Sequence, residues 1–127
     1  MSKKSISFIG FINIDVPPCK IFVVVNKTKK QIEDWMATYI LPKGFKEEFF
    51  DEFKDDALGF YELSESGHRW FWFKELPPGN DSRDTLNHEV VHFVDFESKH
   101  REFTDEMEFK AYLHEAVFKK MRDTLNI

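Results

Sequence analysis

The stretch RWFWFKELPPGNDSRDTLNHEVVHF, residues 69–93, changes its pattern halfway along. Its first part, Arg69 to Leu76, is crowded with aromatic side chains, which suit a pleated, half-buried or buried backbone. Pro77-Pro78-Gly79-Asn80 then breaks any regular element. The first part is therefore read as a strand, with Trp70, Phe71, Trp72 and Phe73 as core on both of its faces. Beyond the break, Asp81 or Ser82 can cap free backbone N–H groups, and Asp84 suits the positive end of a helix dipole. Leu86, Val90, Phe93 and Val94 then recur at helical spacing, and the sequence predicts a helix over 82–98.

Within that helix stands His88-Glu89-Val90-Val91-His92, an H-E-x-x-H pattern. Side chains four apart share one face of a helix with about 3.6 residues per turn. His88 and His92 can therefore aim imidazole nitrogens at one metal ion, on the side away from the apolar stripe. Glu89, about 100° further round, reaches a water beside such an ion rather than the ion itself. Two neutral nitrogen ligands, an open position and a carboxylate base are what zinc-assisted hydrolysis requires. The competing interpretation is a pair of surface or structural histidines.

A catalytic zinc needs a third protein ligand. The continuation H-E-x-x-H-x-x-G-x-x-H is broken, because Asp95 stands in place of Gly and Ser98 in place of His. His100, near the end of the helix, is one candidate. Another lies on a second helix predicted over 104–124, which Thr104 can cap and in which Asp105, Glu106 and Glu108 load the first turn. Glu108 and Glu115, seven residues apart and on the same face, are the candidates there. Ala111 would let the two helices approach, and Tyr112 shares the face of Glu108. Alternatively Glu108, Tyr112, Glu115 and Lys119 form a solvated stripe. His114-Glu115 is no second zinc motif, since Phe118 occupies the position of a second His; His114 is expected to pack with Met107, Ala111, Phe118, Met121 and Leu125.

H-E-x-x-H followed by Glu108-Phe109-Lys110-Ala111-Tyr112-Leu113 resembles the minimal gluzincin metallopeptidases. It is similar to small zinc peptidases encoded by bacteriophages and prophages. The resemblance covers roughly residues 69–120. It implies a zincin-like fold, Zn²⁺ held by His88, His92 and Glu108, and hydrolysis of peptide bonds with Glu89 as general base. Residues 1–60 carry no family motif.

Zinc-bound histidines usually donate their second ring N–H to a carboxylate or carbonyl. Asp84 and Asp95 lie one turn from the pair, and Asp95 is the better placed by spacing. Tyr112, His68, His100 and His114 are candidate donors to a developing oxyanion. The aromatic strand pairs naturally with Leu58–Leu63, across Ser64-Glu65-Ser66-Gly67. It is expected either to be core or to offer an edge on which an extended peptide aligns.

The remaining sequence sets the scale. A chain of 127 residues makes one domain, spanning 1–127, with room for a core, and 15 Phe with 3 Trp make that core aromatic. A net charge of −5 argues against nucleic-acid binding. Cys19 has no partner for an internal disulfide and reads as a small buried apolar residue. Lys3-Lys4 precedes an apolar run too short for a signal peptide or a membrane span. Instead Ile6, Phe8, Ile12 and Ile14 mark one face of a strand. The cytoplasm is the expected location, that of an infected bacterial host included. Ile21–Val25 is a second strand. Thr28-Lys29-Lys30-Gln31 forms a capping box for a helix near 29–40 carrying Ile32, Trp35, Met36, Tyr39 and Ile40. Phe45–Asp56 is a short helix or packing.

The expectation is a compact α+β, zincin-like domain, with a small antiparallel sheet of three or four strands against the H-E-x-x-H helix and a following ligand-bearing helix. Its function would be that of a zinc metallopeptidase acting on a peptide or protein substrate, with no nucleic-acid or membrane partner. Two alternatives stand beside it. One is a non-catalytic binding module; the other is a zinc hydrolase of a non-peptide amide such as a cell-wall link.

Overall fold

The computed structural model describes residues 6–15, 18–53, 59–63, 67–76, 80–100 and 107–127; the side chains of 18, 59, 60, 62, 63, 80, 81, 100 and 107–109 are outside that description. The elements run β1 (Phe8–Asp15), β2 (Pro18–Val25), α1 (Lys29–Met36), α2 (Phe45–Glu52), β3 (Gly59–Leu63), β4 (Arg69–Phe73), α3 (Asn80–His100) and α4 (Met107–Leu125). Ser64-Glu65-Ser66, Pro77-Pro78-Gly79 and the cap region Thr104-Asp105-Glu106 fall outside the described residues.

The sheet has the order β1-β2-β4-β3. The hairpins β1/β2 and β3/β4 are antiparallel, as expected for close neighbours in sequence. The two hairpins meet through β2 and β4, which run parallel with Ile21 opposite Arg69 and Val25 opposite Phe73. The sheet is thus mixed, not antiparallel. Parallel neighbours need a long crossover, and α1, α2 and β3 supply it. β4 is accordingly an interior strand with Trp70, Phe71, Trp72 and Phe73 buried on both faces, as first expected, and the edge alternative is excluded. The outer strands are β1 and β3.

Helices cover both sheet faces, which is why the central strands are continuous apolar runs rather than alternating ones. On one face Ile21, Val23, Val25, Phe71 and Phe73 pack with Leu86, Val90 and Phe93 of α3 and Leu113, Val117 and Met121 of α4. Ile6, Phe8, Ile12 and Ile14 join that core together, as their spacing predicts. Cys19 is only half-buried against it. On the other face Phe22, Val24, Trp70 and Trp72 meet Ile32 and Met36 of α1 and Phe45 and Phe49 of α2. That layer is built from edge-to-face rings, Phe49 on Trp70 at 5.5 Å and Phe53 on Trp72 at 5.2 Å. Phe45–Glu52 is therefore helix and packing at once.

α1 begins where the capping box puts it. Thr28 Oγ1 accepts from the Gln31 N–H at 3.2 Å, and the Gln31 side chain accepts from the Thr28 N–H at 2.8 Å. The helix ends at Met36, earlier than the expected 40: the Ala37 N–H closes on the Glu33 carbonyl and the Thr38 N–H on the Trp35 carbonyl, tightening the last turn. Tyr39 then stacks on Trp35 at 4.2 Å, and Ile40 is exposed. Since Thr28 is exposed and makes its cap locally, Thr28→Ala should cost about 1 kcal/mol of unfolding free energy without a change in fold, measurable by urea titration.

α3 starts at Asn80, so Ser82 lies inside the first turn, buried, rather than ahead of it as a cap. The helix is tied to the start of β4 by one buried ion pair. The Arg69 guanidinium donates through Nε to Glu97 Oε1 and through Nη2 to Oε2 at 3.2 Å, with a third bond from Nη1 to the Gly67 carbonyl at 3.1 Å. Burial opposes the charge on Arg69. The hydrogen bond and field of Glu97 outweigh it and hold the guanidinium above its ordinary range. Among the described residues no helix is long and apolar enough to cross a membrane.

Candidate metal centre

α3 turns Leu86, Val90, Phe93, Val94 and Glu97 to the sheet, which leaves His88 and His92 on its solvent side. One turn apart, the two rings meet edge to face, with centroids 4.7 Å apart and planes at 84°. The two Nε2 atoms stand 3.2 Å apart. Nitrogens about 2.0–2.1 Å from a tetrahedral zinc stand about 3.3 Å from each other. The separation of the pair thus matches that between two zinc-bound nitrogens. The same approach also suits one imidazole N–H donating to the other ring's lone pair.

Glu89 sits on the flank of α3 between its buried and exposed faces and is only 8 % exposed. Burial raises its pKa above the usual glutamate value, while the neighbouring His88 and His92 pull the other way. No hydrogen-bond donor among the described residues reaches this carboxylate. It is an under-solvated base beside two exposed nitrogens, which suits proton transfer to or from a water at the pair.

The other candidates have separate surroundings or lie outside the described side chains. Glu108 is in the first turn of α4, and His100 is the last residue of α3; both side chains are outside the description. Glu115 is exposed and lines a shallow recess along α4 with His114, Phe118 and Arg122. Asp95 faces Lys110 Nζ at 3.8 Å, so its described partner is an ammonium rather than an imidazole. Asp84 is exposed. Tyr112 is exposed and lines a recess with Asn13, Asp15 and Lys120, toward β1. His68 belongs to the opposite sheet face, where its Nδ1 meets Glu48 Oε2 at 2.9 Å and its ring meets Phe45 edge to face. Among the described residues no group of three His, Cys, Asp or Glu completes a metal site.

Among the described residues, two polar contacts join α3 to α4. His114 Nε2 lies 2.6 Å from Asn87 Oδ1, and the His114 ring stacks on Phe118 at 5.6 Å, the packing its sequence position suggests. Lys110 and Asp95 make the second contact. Ala111, expected between the helices, is exposed instead. Neither the Asn87–His114 link nor the Arg69–Glu97 pair follows from the sequence patterns above. Asn87 adjoins His88, but an exposed Asn carries no periodic signal. Glu97 carries one, a charge on the apolar stripe of α3.

Compared with models of protein families, with curated proteins and with solved structures, the chain matches none.

Proposed function

We propose that this chain is a zinc-dependent metallopeptidase of zincin-like build, with His88, His92 and Glu108 as ligands and Glu89 as general base. The observation that carries the reading is the convergence of two exposed imidazole nitrogens, 3.2 Å apart, beside a buried carboxylate. Bound zinc would supply Lewis acidity and bring the ionisation of a water toward neutrality. Glu89 accepts the proton of the attacking water and returns it to the leaving amine, a double use favoured by its raised pKa. The edge strand beside α3 is β3, and its outer backbone is where an extended peptide would align. The substrate is a peptide or protein and the site of action the cytoplasm.

Elemental analysis tests the ligand set. Wild type is expected to bind one zinc per chain, and His88→Ala and His92→Ala to lose it; zinc retained by both variants would end the reading. Glu108→Ala should release zinc and Glu115→Ala should not. Hydrolysis of casein-derived peptides, run beside purified peptidoglycan, checks the substrate class. A second reading, a binding module without turnover, draws on the solvent exposure of both rings and the hydrogen bond they can share. Zinc-free protein without hydrolysis of either substrate would favour it.

A further inference from the structure

A second feature lies at the carboxyl ends of the central strands β2 and β4. β2 and β4 run parallel, and the chain leaves them in opposite directions. From β2 it passes to α1 on one face of the sheet, and from β4 to α3 on the other. Where neighbouring parallel strands send their connections to opposite faces, the loops part and leave a crevice at the carboxyl ends of the strands. A cavity of about 710 Å³ occupies that place, walled by Asn26, Lys27 and Lys29 after β2, by Lys74 and Glu75 after β4, and by Phe53.

Its charge runs against that of the molecule. The chain carries a net charge of −5, yet the described residues lining this cavity include three lysines and one glutamate. None of Lys27, Lys29 and Lys74 has a carboxylate partner among the described residues; Lys29 Nζ rests over the Phe50 ring at 5.7 Å. Elsewhere on the same helix Lys30 is engaged by Asp34 at 3.3 Å. Among the described residues, three lysines around one crevice against one carboxylate make a local excess of positive charge. The space far exceeds a lone inorganic ion, and Phe53 offers an apolar wall beside the charges. We propose that this crevice binds a small organic phosphate monoester, its dianion held by Lys27, Lys29 and Lys74 and its organic part against Phe53.

The site is formed by α1 and the strand ends, whereas the histidine pair lies on α3 across the sheet. The proposal therefore stands or falls separately from the peptidase reading. Phenyl phosphate is the probe, titrated into the full chain at constant ionic strength and followed by backbone amide chemical shifts. The expected result is saturable shifts confined to residues 26–31 and 74–75, with affinity in the millimolar range. Phenyl sulfate, of the same shape with one charge fewer, should bind more weakly. The double variant Lys27→Gln/Lys74→Gln should lose about tenfold or more in affinity, while Lys30→Gln binds as wild type. Absence of saturable shifts at those residues, equal binding of the sulfate, or undiminished binding by the double variant would each overturn the proposal. The wild-type titration decides even if the double variant does not fold.

Discussion

Arg69→Met is expected to lower the unfolding free energy by about 3–5 kcal/mol, the usual cost of removing one partner of a buried pair. The size follows from what remains behind. Glu97 is fully buried, and the substitution removes both charge-assisted bonds that its carboxylate accepts from Arg69. Against a total stability of roughly 5–15 kcal/mol for a domain, such a loss leaves the variant partly unfolded at moderate temperature. Glu97→Leu should cost less than Arg69→Met, because the Arg69 side chain keeps 13 % exposure and its bond to the Gly67 carbonyl. Replacing both, as Arg69→Met/Glu97→Leu, should restore most of the loss, since a buried ion pair contributes little beyond an apolar pair of similar volume. Urea titrations of the four proteins close a double-mutant cycle. A cost under about 1 kcal/mol for Arg69→Met, or a double variant worse than either single one, would show that the pair does not anchor α3 to β4.

That pair also shows where sequence reasoning stops. Local periodicity identifies both hairpin arms around β3 and β4, the capping box of α1, and the long helices α3 and α4 to within a few residues. It also puts Ile6, Phe8, Ile12 and Ile14 on one face, and all four reach one core. It does not reveal which hairpin meets which. The clue is present in Ile21–Val25 and Trp70–Phe73, two runs with no polar residue in either phase, the mark of strands covered on both faces. Such strands lie inside a sheet, so the aromatic run could not be an edge. The Arg69–Glu97 bond joins residues 28 apart in sequence, a separation no helical or strand period reports. The histidine pair is legible because its geometry is local, one turn of one helix. A third ligand from α4 depends on how two helices pack, and spacing alone does not fix that.

Glu89→Gln is expected to retain zinc and to lose about 10²–10⁴-fold in peptide hydrolysis, the typical worth of a positioned proton-transfer group. The amide keeps the size of the side chain but cannot take a proton from water. Hydrolysis at the wild-type rate would remove Glu89 from the mechanism. The same substitution carries a second expectation that holds whatever the chemistry at the site. Burial raises the pKa of Glu89 above its ordinary value of 4.5, so between those two values the folded protein holds more protons than the unfolded chain. Stability then falls as pH rises through the folded-state value, and the deficit persists above it. Below pH 4.5 both states are protonated and the penalty is absent. The substituted amide never ionises. The zinc-free variant should therefore melt on the order of a few degrees higher than zinc-free wild type at neutral pH, with the gap closing as the pH falls below the ordinary glutamate value. A variant less stable than wild type at neutral pH would mean that the ionised carboxylate is held by favourable contacts, and that its burial is not a cost accepted for reactivity. Gain of stability together with loss of turnover is the pattern expected when a buried base is kept for its chemistry rather than for the fold.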